Sequence, residues 1–148
     1  MMIDPAIKDL ANRTNPYLVM IFSDPKFEEL EVDFWDHFRV HHYYLNTRFK
    51  LNIPEEKALT SFANYVIESV LTSAIRLGYN KAHDHKKGAL QTYLEIVQRW
   101  DELKMRVPLN FHAVIPDDAV KHIMVTQKLG PWWRRALWSL QLTILGLL

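Results

Sequence analysis

The chain of 148 residues has no cysteine, four glycines and seven prolines. Without thiols there is no disulfide framework, no thiolate zinc or iron–sulfur site and no cysteine nucleophile. The absence does not choose a compartment, since reducing and oxidising environments both tolerate it. So little Gly and Pro, against 49% hydrophobic and 12% aromatic residues, excludes a low-complexity or disordered chain. Neither sign of charge dominates. Eighteen Lys+Arg against seventeen Asp+Glu leave +1, which argues against a dedicated nucleic-acid reader. Long apolar runs are missing as well, and no stretch reaches the roughly 18–20 residues that cross a bilayer. The run from Tyr17 to Phe22 is too short, and its leader too acidic at Asp4 and Asp9, for a secretory signal. A cytoplasmic, virion-associated or membrane-peripheral location is expected. Glycine-rich phosphate loops, nucleophile elbows and dinucleotide fingerprints do not occur, so no cofactor is expected.

What is present is helical. Asp4-Pro5, Asn15-Pro16, Asp24-Pro25, Ile53-Pro54 and Ile115-Pro116 each precede a helix-like pattern, with proline where its missing N–H costs nothing and, in the first three, Asp or Asn able to cap. From Asp24 to Phe49, Phe27, Leu30, Phe34, Phe38, His41 and Leu45 recur at steps of three and four. Acidic residues open this segment, and Arg48 and Lys50 close it, as the helix dipole favours. From Glu55 to Leu77, Leu59, Phe62, Ala63, Val66, Ile67, Val70, Leu71 and Ala74 predict a buried helix capped by Gly78. A polar loop, Tyr79 to Gly88, separates it from the helical spacing of Leu90, Tyr93, Leu94, Val97 and Trp100. Residues 107–115 read as a connector, Asp117 to Leu129 as a helix closed by Gly130, and Pro131 opens a last helix. The expectation is an all-α, single-domain bundle of five or six helices spanning 1–148.

Charge is divided along this chain. Residues 1–74 hold seven basic and eleven acidic side chains, a balance of −4, and residues 75–148 hold eleven and six, a balance of +5. Such polarity can orient copies head to tail or turn one end towards an anionic surface; the plainer explanation is chance.

Residues 131–148, PWWRRALWSLQLTILGLL, concentrate the aromatic surplus. Trp132, Trp133 and Trp138 lie there, with Arg134 and Arg135 as its charges. From Ala136 onward a helix extends about 20 Å, short of the roughly 30 Å hydrocarbon core. Trp133, Leu137, Leu140, Ile144 and Leu147 share one helical face, and Trp138, Leu142 and Leu145 much of another. Three placements follow: a core helix of this domain, a helix docked on another subunit or protein, or a helix in a membrane interface. For the latter two, Trp132, Trp133, Arg134, Arg135, Leu137, Trp138, Leu140 and Ile144 are the candidate contacts.

Metal chemistry has one helical candidate. Asp33, His37 and His41 stand at i, i+4 and i+8, a spacing that can present three ligands. Phe38 stands where an HExxH glutamate would, so a metalloprotease base is missing. His41 also lies on the apolar stripe, where a hydrogen-bonded core histidine is the ordinary explanation. His83-Asp84-His85, with Lys81, Lys86 and Lys87 nearby, suits acid–base work, a metal or a phosphate, but reads more simply as a solvated connection.

The leading functional expectation is a non-enzymatic helical assembly protein, homo-oligomeric or bound to a protein partner. By analogy of architecture it would be a viral or phage particle component, such as a connector or an internal or ejected virion protein. The alternative is a peripheral membrane protein anchored by the C-terminal Trp/Arg helix. A third reading is a metal-dependent helical enzyme built on Asp33, His37 and His41.

Overall fold

Asn15 shows how local chemistry starts a helix here. Its side-chain oxygen accepts from the N–H groups of Tyr17 (2.9 Å) and Leu18 (3.1 Å), and Pro16 occupies the first turn of α1 (Pro16–Phe22). A computed structural model of the protein describes Asp9 and residues 15–83, 86–106 and 113–148. The expected Asp4-Pro5 start and the greater part of the 107–115 connector lie outside the described residues. After α1 come α2 (Phe27–Phe49), α3 (Glu55–Phe62), a π-helical turn (Ala63–Ile67), α4 (Glu68–Arg76), α5 (Ala89–Arg106), α6 (Pro116–Thr126) and α7 (Trp132–Ile144). With α3, the π turn and α4 counted as one helix, six helices stand among the described residues, and these residues contain no strand. The fold is all-α.

The described residues group into two compact units. The first runs to Ser69 and takes in Gly88–Gln91; the second is Val70–Lys87 with Thr92–Leu148. The boundary between them falls inside α4.

In the first unit α2 packs on α3, and α1 on the π turn. Phe34 and Phe38, one turn apart on α2, bring their rings within 5.9 Å of Phe62, and Phe34 is 4.7 Å from Trp35. Phe22 adds edge-on contacts to Phe27 and Phe34 at 5.4 and 5.9 Å. Offset and edge-to-face rings of this kind contribute beyond the area they bury. Within the π turn, Asn64 accepts a 2.7 Å hydrogen bond from Asn15, so the residue that caps α1 also ties it to the widened turn. An uninterrupted α-helix was expected across 55–77, and its apolar spacing carries no sign of this insertion.

Asp24 departs from expectation in an instructive way. It was read as the cap of the helix that follows it, yet α2 begins after Lys26 with no side-chain cap. One Asp24 oxygen closes a local turn by accepting from Lys26 N–H (2.7 Å), and the other accepts from Gln91 N–H (3.0 Å) in the first turn of α5. Asp24 therefore caps a helix 67 residues away. A β-carbon on Gly88 would run into this carboxylate. Here glycine supplies space rather than backbone freedom.

The second unit is tied by polar groups around an apolar centre that includes Tyr93, Ile96, Leu103 and Val120. Ser73 and Arg76 both donate to Asp117. Tyr79, expected in a polar loop, is fully buried and donates to Glu95 (2.7 Å), which also receives Lys87 at 2.9 and 2.7 Å. Burial, and then the bond to Glu95, raise the Tyr79 phenol above its ordinary range. Gly78 (φ +72°) ends α4 as expected, with Tyr79 N–H returning to the Ala74 carbonyl at 2.9 Å. Gly130 does not close α6 in the same way. Lys128 takes the left-handed position (φ +56°), and Leu129 N–H returns to Met124 at 2.8 Å.

Candidate functional site

Pro131 precedes α7, and no side chain caps its first turn. One face of the helix docks on α6. Trp138 and Leu142, one turn apart, are 6% and 1% exposed. Cations cover Trp138: Arg134 lies 5.1 Å from its ring and Lys121 5.9 Å. Arg134 also donates to the Leu77 carbonyl (3.3 Å) just past the end of α4, a favourable place for a cation. Trp138 and Arg134, both candidate partner or lipid contacts by sequence, are thus engaged within the chain. Arg135 is half-buried.

The opposite face is open. Trp132, Trp133, Leu137, Leu140 and Ile144 are 74, 57, 49, 59 and 75% exposed. The last four stand at steps of four, three and four, the a/d spacing of a helix–helix seam. Exposed positions from Ala136 to Ile144 carry no charge. Beside Ile144, a groove of about 380 Å³ is lined by Ile115, Lys121, Gln141 and Leu142 among others. Leu147 corrects the face expected from sequence. Helix α7 ends at Ile144, Gly146 takes φ +74°, and Leu147 N–H returns to the Leu142 carbonyl at 2.8 Å. This Schellman-type turn leaves Leu147 buried rather than on the open seam.

The Asp33, His37 and His41 face is differently used. His41 Nε2 lies 3.2 Å from Ser61 Oγ, and its ring is 5.3 Å from that of Phe62. Burial, and then neighbouring His42, lower its pKa. Asp33 is exposed and His37 half-buried. Among the described residues no three His, Cys, Asp or Glu side chains gather as a metal would need. In the 79–88 segment, His83 Nδ1 bonds the Tyr79 carbonyl at 2.6 Å, while Asp84 and His85 lie outside the described residues.

Sequence reasoning missed one polar cluster. Tyr79, Lys87, Glu95, Arg99 and Glu102 line a cavity of about 200 Å³ in the second unit. Arg99 donates to His122 Nδ1 at 2.6 Å, and the guanidinium has no acceptor to offer, so the imidazole proton sits on Nε2. There it meets the backbone of Leu147. Burial, and then Arg99, hold the His122 pKa below its usual range. The charges are matched internally: Lys87 with Glu95, and Arg99 with Glu102 at 3.4 Å. Chemically the cluster reads as structural. Residues 79 and 87 lie outside the helices, 95 on α5 and 122 on α6, so no pattern within one element marked the cluster in the sequence.

No helix among the described residues is long and apolar enough to cross a membrane. No protein-family model matches the chain, nor does any curated protein or solved structure.

Proposed function

We propose that this chain is an assembly protein, rather than a catalyst, and that the open face of α7 seats a helix of another copy. The observation that carries this reading is the exposed seam Trp133, Leu137, Leu140 and Ile144. A contiguous apolar patch of this kind marks an interaction site on a soluble protein, and its a/d spacing matches a helical occupant. Lipid is the second reading, favoured by Trp132 and Trp133 standing beside Arg135. The missing charge along the rest of the face fits protein better than an anionic headgroup layer.

Sedimentation of the full chain over a concentration range tests the proposal. The expected result is concentration-dependent association that Ile144→Glu abolishes while leaving the helical circular dichroism unchanged. A monomer at every concentration overturns the proposal. Co-sedimentation of that monomer with zwitterionic or anionic vesicles would assign the face to lipid.

A further inference from the structure

The open face of α7 has a counterpart in the other unit. Helix α2 buries Phe27, Phe34, Trp35 and Phe38, and nothing beyond Phe38. Its distal half exposes Val40, Tyr43 and Tyr44, at 70, 73 and 52%. Beside Tyr43 is a groove of about 240 Å³ walled by Trp35, Phe38, His42 and Tyr43, with Arg39 and Glu55 also lining it. Aromatic walls and a carboxylate acceptor suit an indole, which presents a flat apolar body and one N–H donor. The lengths agree too. The α7 seam from Trp133 to Ile144 and the exposed stretch of α2 from Val40 to Phe49 each extend about 15 Å at helical rise.

Charge selects between the two ways copies can pair. The first unit holds seven basic and eleven acidic side chains, −4, and the second eleven and six, +5. The division seen along the sequence is therefore a division between structural units. Pairing α7 with α7 of a second copy brings two +5 units together. Pairing α7 with α2 brings a +5 unit against a −4 unit. The acidic side chains of α2 lie before Val40 and its distal half carries Arg48, so the attraction acts between the units as wholes, with Glu55 the carboxylate at the groove. We infer that copies of this chain associate head to tail, with the α7 seam of one copy packed on the distal half of α2 of the next and Trp133 entering the groove beside Tyr43. This inference rests on the assembly reading and names the second surface. Because the two surfaces differ, each contact joins unlike patches, and it can close as a reciprocal pair or a ring or continue as an open chain.

A mixing experiment on the full chain tests it. Leu140→Glu spoils the α7 surface and Tyr43→Lys spoils the α2 surface; both positions are exposed. Each variant alone is expected to sediment as a monomer, with self-association weakened by at least about tenfold. An equimolar mixture is expected to form a heterodimer and nothing larger, since each variant retains the surface the other lacks. Wild-type association should weaken as salt rises. Should Tyr43→Lys fail to keep the wild-type circular dichroism, Val40→Lys tests the same surface. If the α2 variant associates like wild type while the α7 variant does not, the assembly reading stands and the head-to-tail contact is wrong. A mixture that remains monomeric, or association insensitive to salt, also overturns the contact. Wild-type protein that never associates removes the assembly reading itself.

Discussion

In the first unit, Phe34 meets Phe22, Trp35 and Phe62 with ring centroids 4.7 to 5.9 Å apart. In the second, Glu95 receives Tyr79 and Lys87, and His122 receives Arg99. Ring packing is weakly directional and depends on filled volume. The polar network depends on protonation and on every buried partner being matched. The two units of one chain should therefore differ in what weakens each most: volume loss in the first, a broken polar contact in the second.

The largest expected effect is in the ring cluster. Phe34→Ala should cost about 3–5 kcal/mol by leaving a cavity at a fully buried site. Urea unfolding followed at Trp35, the sole tryptophan of the first unit, measures it, and a loss below about 1 kcal/mol would show that volume is not what holds this unit. Next comes the long-range cap. Gly88→Ala should cost about 1–3 kcal/mol, because the added carbon displaces the Asp24 carboxylate. Asp24→Ala alone should cost about 1 kcal/mol as a lost cap. The double variant should lose less than the sum, since the clash disappears with the carboxylate; additivity would rule out the clash.

Each unit holds a histidine of lowered pKa, so pH dependence is assigned unit by unit. His122 has a lowered pKa in the folded chain, so the unfolded chain binds the proton more readily. The stability it contributes is complete above the ordinary histidine value of about 6.5 and is lost as pH falls through the lowered folded value. Glutamine can still accept from Arg99 and donate to the Leu147 backbone. His122→Gln should therefore flatten the acid limb of the second unit's stability, read at Trp100 in a variant keeping only that tryptophan. His41 is lowered as well and gives the first unit an acid limb that His122→Gln leaves in place. An unchanged second-unit limb in the variant would place the acid sensitivity elsewhere. The smallest effect is Tyr79→Phe, expected to cost about 1 kcal/mol through the lost bond to Glu95. In thermal unfolding, a cost as large as that of Phe34→Ala would erase the distinction between the units.

Much of the fold was legible because helix signals are local. Asn15-Pro16 marks a start, and Phe27, Phe34 and Phe38 mark a buried stripe from their spacing alone. Features built from distant residues were not legible. Asp24 sits where a cap for α2 belongs, and only the folded chain brings Gln91 to it. His41 and His37 keep metal-like spacing, but Ser61 and Phe62 occupy the surroundings of His41. Leu147 belongs by period to the open seam of α7, and the turn at Gly146 removes it.

By itself, then, the sequence determined the helical class, most helix starts, the division of charge and the concentration of tryptophan and leucine after Pro131. Each depends on composition or on contacts within about one helical turn. The tertiary structure decided which side of α7 docks on α6 and which remains open, and that the opposed charges fall on separate units. Helical period shows which residues share a face, but a face becomes core or surface only through what packs against it.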